Sequence, residues 1–199
     1  MTDSERRPGV SRRAFLQGTS AVAAATALQQ PTSTAQAQDA SKQVIRGKTV
    51  VTLEVNGVTR KVSVEPRTTL LETLRYQLDL TGAKPVSVDG SSGASTVLID
   101  GKPAMASTTL AVTCNGKQIT TAEGLGDSPV PAAFVRHDAQ QCGFCTPGFV
   151  VAVKAFLDKK PKATEAEIRQ GLNGNICRCG TYANIVEAAI DVVKGGKNA

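Results

Sequence analysis

Two cysteine pairs carry the chemistry this sequence can offer, Cys142-Gly143-Phe144-Cys145 and Cys177-Arg178-Cys179. Four soft thiolates in two tight pairs make a four-ligand cage, which suits an iron–sulfur cluster or a structural zinc ion. Residues 146–176 separate the pairs. That span is too long for a single-loop zinc finger, so each pair is expected at a turn, with helices between. Two disulfides fit less well, because Cys177 and Cys179 are too close to join and would have to cross to the other turn. His137 is the sole histidine, which excludes a Rieske centre, with two histidines on one iron, and any HExxH protease. It reads as a surface or satisfied core residue. Arg178 can balance the charge of a thiolate cluster. The fifth cysteine, Cys114, stands outside both pairs and reads as a small buried hydrophobe on a strand. No nucleophile–base pair, phosphate-binding glycine loop or carboxylate dyad stands out, so catalysis is expected to belong to a partner.

The elements around the cysteines read as helical. Ser128 can cap a helix with Pro129 in its first turn, running toward Asp138. Thr146-Pro147 repeats that start, and Phe149, Val150, Val153 and Phe156 follow at helical spacing until Pro161. Thr164 with Glu167 forms a capping box for a short helix to about Leu172. Asn173-Gly174-Asn175 breaks it just before the second cysteine pair. A last helix, Tyr182 to Lys194, should bury Ile185, Ala189, Val192 and Val193, with Gly195-Gly196 closing it.

The preceding segment is β-rich. Val51, Leu53 and Val55 alternate with polar residues at strand period. Asn56-Gly57 is a type I′ hairpin signal, because both central residues of that turn need φ > 0. The return strand carries Val62 and Val64, and Pro66 stops it. Thr69-Leu70-Leu71-Glu72 reads as a capping box, opening a helix through about Leu80. A glycine-spotted loop spans 82–95. Thr96–Ile99 is a short strand turned by Asp100-Gly101 into Lys102–Met105, and another hairpin is expected at Asn115-Gly116. Two strands, a helix and further short strands fit a β-grasp fold. The whole is α+β: a β-grasp domain over 48–124 and a four-helix domain over 125–196.

Composition narrows the partners. The chain has 199 residues, a net charge of +6 and no tryptophan. The first 37 residues hold four arginines against Asp3 and Glu5, so the remainder is about +4, too weak to argue for nucleic acid. No run of eighteen apolar residues occurs, so no conventional membrane span is expected. Residues 1–37 read as an export signal. Ser11-Arg12-Arg13-Ala14-Phe15-Leu16-Gln17 resembles the twin-arginine motif, a weakly apolar Ala-rich stretch follows to Leu28, and Ala35-Gln36-Ala37 offers a cleavage site. Residues 38–47 read as a linker. A route that exports folded proteins would let a metal centre assemble in the reducing cytoplasm before its thiols meet the oxidising periplasm.

Over about residues 48–194 the chain resembles the small iron–sulfur subunit of the xanthine oxidase, aldehyde oxidoreductase and carbon monoxide dehydrogenase family of molybdenum hydroxylases. The resemblance rests on Gln141-Cys142-Gly143-Phe144-Cys145-Thr146-Pro147-Gly148 and on Gly171-Leu172-Asn173-Gly174-Asn175-Ile176-Cys177-Arg178-Cys179-Gly180. It implies that Cys142, Cys145, Cys177 and Cys179 ligate a [2Fe–2S] cluster near molybdopterin, with Gln141 and Cys179 where the family contacts the pterin. It also implies a molybdopterin-binding large subunit and an FAD-binding medium subunit, reached through a second, plant-type [2Fe–2S] cluster in the β-grasp domain. A cytochrome is an alternative acceptor. A different class of role is a structural docking subunit with a redox-silent metal site that supports assembly of the catalytic subunit.

The chain departs from the family in that first domain. Plant-type spacing is C-x4-C-x2-C with a distant fourth cysteine; here Ser87, Ser92, Ser95 and Ser107 stand in that register. A hydroxyl has a far higher pKa than a thiol, and oxygen is a harder ligand. Four serines are therefore not expected to assemble a cluster, and the β-grasp domain is expected to fold without one. Drift would scatter the loop, whereas serine at every ligand position is the isosteric swap that removes a thiol. The pattern favours deliberate removal of the cluster over natural degeneration.

Overall fold

The computed structural model describes residues 46–195, together with Arg13. The export-signal motif apart from Arg13, its cleavage site and most of the linker lie outside the described residues. Strand β1 (Thr49–Val55) turns at Asn56-Gly57 into β2 (Val58–Val64), with φ of 52° and 77° at the two turn residues, as a type I′ hairpin requires. The register pairs Val55 with Val58 and Thr49 with Val64, so Val51, Leu53, Val55, Val62 and Val64 are all buried on one face. Helix α1 (Leu70–Tyr76) opens on the expected capping box between Thr69 and Glu72. It ends earlier than its apolar spacing suggests. Gln77 caps it, Asp79 takes φ of 57°, and the Leu80 N–H returns to the Leu74 carbonyl at 2.9 Å. Leu78 and Leu80 thus reach the core from a turn and not from the helix.

Strands β3 (Thr96–Ile99) and β4 (Lys102–Met105) form the second hairpin around Asp100-Gly101. The third expected hairpin does not form. Asn115 has φ of −56° and Gly116 has φ of 74°, and the Lys117 N–H donates to the Cys114 carbonyl at 3.0 Å. That is a type II pattern, in which only the second central residue needs positive φ. It joins a short 3-10 turn (Ala111–Cys114) to β5 (Gln118–Thr120). Cys114 is fully buried, but on that 3-10 turn and not on a strand. Strand β5 pairs parallel to β1 and antiparallel to β3, completing a five-stranded mixed sheet in the order β2-β1-β5-β3-β4.

Four helices follow: α2 (Pro129–Arg136), α3 (Thr146–Lys159), α4 (Glu165–Gly171) and α5 (Tyr182–Val193). Ser128 caps α2, and Thr164 with Glu167 forms the capping box of α4. Phe149, Val153, Ile168 and Ile185 are wholly buried in a second core. Val192 and Val193, expected inside, are only half-buried at the end of α5. Leu98 of β3 belongs to the helical core, so sheet and helices pack directly together. Among the described residues no helix is long and apolar enough to cross a membrane.

Candidate metal centre

Each cysteine pair sits in the turn that opens a helix. Gly143, at φ of 76°, bends the first turn between Cys142 and Cys145, and Cys145 is the N-cap of α3. The second turn runs from the end of α4 through Asn173-Gly174-Asn175 to Cys177 and Cys179. Gly180, at φ of 84°, then leads into Thr181, the N-cap of α5. The thiols therefore gather at the positive ends of two helix dipoles, where anionic sulfur is favoured. Arg178 is exposed between the last two cysteines.

The fold brings all four cysteines together in two facing pairs. Cys142 faces Cys179 on the exposed side, and Cys145 faces Cys177 on the inner side. Each pair splits its ionisation. The Phe144 backbone N–H and the Cys179 thiol draw Cys142 down. For Cys179, the Cys142 backbone N–H pulls down, but the Cys142 thiol and burial raise it on balance. Burial and the neighbouring Cys177 push Cys145 up to about 12. Burial pushes Cys177 up too, but hydrogen bonds from the Thr181 hydroxyl and backbone, with help from Cys145 and Gly180, bring it down to about 7. Like charges at such separation cannot all ionise without a cation between them. The donor set is thus chemically suited to a positively charged centre that takes four thiolates. Two facing pairs of thiolates can hold a two-iron cluster, two to each iron, or one tetrahedral zinc ion.

Gln141 is exposed beside Cys142. Phe144 and Ile176 form an exposed apolar rim, and Lys84 Nζ stands 5.8 Å from the centre of the Phe144 ring. His137 takes no part in the cysteine site. Its Nε2 lies 3.2 Å from Asp191 Oδ2, a buried carboxylate that Arg136 also holds.

The four serines also come together in pairs. Ser87 Oγ and Ser92 Oγ are 2.8 Å apart, and the Ser92 N–H donates to Ser87 Oγ at 3.0 Å. Ser95 and Ser107 form the other pair, buried. This loop touches the cysteine turn directly. The Ile176 N–H donates to the Ser92 carbonyl at 3.0 Å, and Asn175 Nδ2 donates to the Gly93 carbonyl at 2.9 Å. Neither contact was legible in the sequence, and neither were the bonds that Thr181 and Tyr182 make to Cys177. Gly180-Thr181-Tyr182 signals only a helix start.

Residues 121–190 match the family described as the [2Fe-2S] binding domain. The chain is 42% identical over 191 residues to the aldehyde oxidoreductase iron-sulfur-binding subunit PaoA of Escherichia coli (strain K12), covering 86% of this chain and 83% of that one. It is 44% identical over 144 residues to the nicotine 6-hydroxylase small subunit of Paenarthrobacter nicotinovorans, covering 71% of this chain and 87% of the relative. Among solved structures, a chain of quinoline 2-oxidoreductase from Pseudomonas putida 86 superposes with a TM-score of 0.70 at 34% identity, over 77% of this chain and all of that one.

Proposed function

Because the chain belongs to the iron–sulfur small subunits of the molybdenum hydroxylase family, we propose that it is the electron-transfer subunit of such an oxidoreductase, with Cys142, Cys145, Cys177 and Cys179 as ligands of one [2Fe–2S] cluster. When bound, that cluster supplies a one-electron relay. The observation that carries this reading is the convergence of the two turns, with Cys142 facing Cys179 and Cys145 facing Cys177 at the starts of α3 and α5. The chain's own residues hold the sulfurs, favour their charge through the two helix ends and bury Cys177, with Cys145 half-buried beside it.

In this reading the chain has no catalytic site. The exposed Gln141 and Cys179 face the molybdopterin of a large subunit, and the apolar rim of Phe144 and Ile176 is covered by that subunit. Residues 125–196 are the cluster-binding helical domain, and residues 48–124 are a β-grasp domain without a cluster. The mutual hydrogen bonds of Ser87 with Ser92 and of Ser95 with Ser107 support that loss. Electrons leave for FAD on a medium subunit or for an external acceptor such as a cytochrome. The motif at Arg12-Arg13 supports export of the folded chain to the periplasm by the twin-arginine route.

The test is iron and sulfide content, with an EPR spectrum of the dithionite-reduced protein, on the complex purified anaerobically with its partners. About two irons per chain and a single [2Fe–2S] signal are expected. About four irons and two signals would restore a second cluster at the serines. Zinc without an EPR signal would remove electron transfer altogether.

A further inference from the structure

Cys177 is the cysteine of the four that the fold grips most closely. It is buried, whereas Cys142 and Cys179 are exposed. Its backbone N–H donates to the Tyr182 hydroxyl at 2.8 Å. Tyr182 is itself braced edge-on against the buried Phe149, with ring centroids 6.1 Å apart. The Cys177 sulfur lies 3.2 Å from Thr181 Oγ1.

Thr181 is the N-cap of α5, where a threonine hydroxyl ordinarily accepts from a backbone N–H two or three residues on. Thr69 and Thr164 do so for α1 and α4. Thr181 makes no such bond; its hydroxyl is turned to the sulfur instead. A cysteine that ligates a metal has lost its proton, so across this contact only the hydroxyl can donate.

We propose that Thr181, by donating its hydroxyl hydrogen bond to the Cys177 sulfur, sets the reduction potential of the bound cluster and holds it above the value that the thiolate ligands alone would give. The proposal rests on the reading of the four cysteines as cluster ligands. Reduction adds one electron to the cluster, supplied by the partner's catalytic site in turnover. No bond in Thr181 breaks, and its hydroxyl keeps its proton. The added negative charge spreads onto the sulfurs, so a donor fixed at one of them stabilises the reduced state more than the oxidised one. Hydrogen bonds to sulfur are among the determinants of iron–sulfur potentials, and partial burial strengthens this one. Thr181 is a positioning residue here, acting on the cluster through its ligand.

The test is an EPR-monitored redox titration of the whole complex carrying wild-type, Thr181→Val or Thr181→Ser chain, with iron content measured on each. At the wild-type midpoint, T181V is expected to hold about tenfold less reduced than oxidised cluster, a downward shift of about 59 mV for one electron. T181S should titrate with the wild type, and iron content should be the same in all three. A T181V midpoint equal to the wild type's would overturn the proposal. If T181V fails to hold iron, T181A is titrated in its place. Loss of iron from both, with iron retained in T181S, would make the hydroxyl a structural requirement and overturn its role in setting the potential. A wild-type complex without iron at the four cysteines would overturn the underlying reading instead.

Discussion

Ser95 Oγ donates to Ser107 Oγ at 3.0 Å, and the Ser107 N–H returns to Ser95 Oγ at 3.3 Å, both residues buried. A hydroxyl can donate and accept at once, so two serines at this distance satisfy each other, whereas two thiolates would repel. Ser95→Ala removes the acceptor of a buried N–H and should lower stability by about 1–3 kcal/mol, read by chemical denaturation. Iron content should not change. Loss of iron from this variant would mean that the serine loop takes part in a metal site.

The same pairing bears on what the loop could become. Ser87 meets Ser92, and Ser95 meets Ser107, at plant-type spacing. Replacing all four with cysteine is expected to raise iron from about two to about four per chain and to add a second EPR signal. A fourfold variant that still holds about two irons would show that the loop backbone no longer fits a cluster.

A close approach of two backbones joins the loop to the helical half. A Cβ on Gly148 would lie 2.5 Å from the Gly93 carbonyl oxygen and 3.1 Å from Ala94 Cα. Both obstacles are main chain, so neither can swing aside. Gly148→Ala should therefore push α3 off the loop and cost roughly 1–3 kcal/mol, the usual range for overpacking. Unchanged denaturation would mean that this contact opens without penalty.

How much of this was legible depends on what each residue answers to. Asn56-Gly57 announced its hairpin because two consecutive positive φ values are hard to obtain otherwise, and 52° and 77° are found there. Asn115-Gly116 carries the same letters and makes a different turn, because its strand partners are distant: β5 lies between β1 and β3. Local sequence records a turn's preferences but not which strands will flank it. The cysteines were legible because ligand spacing is itself local. Asn175, whose amide donates to the Gly93 carbonyl, and Thr181, whose hydroxyl is aimed at a sulfur, were not. The first depends on packing between segments 82 residues apart, and the second on a cap residue leaving its ordinary duty.

The capping box of α4 gives the chain a pH-dependent element away from the cysteines. The Thr164 backbone N–H donates to Glu167 Oε2 at 2.9 Å, and Lys160 Nζ reaches Oε1 at 2.9 Å. The Thr164 backbone, then Lys160 and the Thr164 hydroxyl, hold the Glu167 carboxyl down at about 2. A carboxyl whose pKa is lower folded than unfolded contributes stability that is fully present above its unfolded value. That contribution is lost as pH falls through the folded one. The loss here should run from about pH 4.5 down to about pH 2. Glu167→Gln cannot ionise, so it should flatten that part of the stability-against-pH curve while lowering stability at neutral pH. Denaturation midpoints of wild type and E167Q between pH 2 and pH 7 make the comparison. The two curves should converge toward acid, because protonated glutamic acid and glutamine offer the Thr164 N–H similar neutral acceptors. Curves that stay parallel across the whole range would show that the ionised carboxylate adds nothing beyond the neutral hydrogen bond.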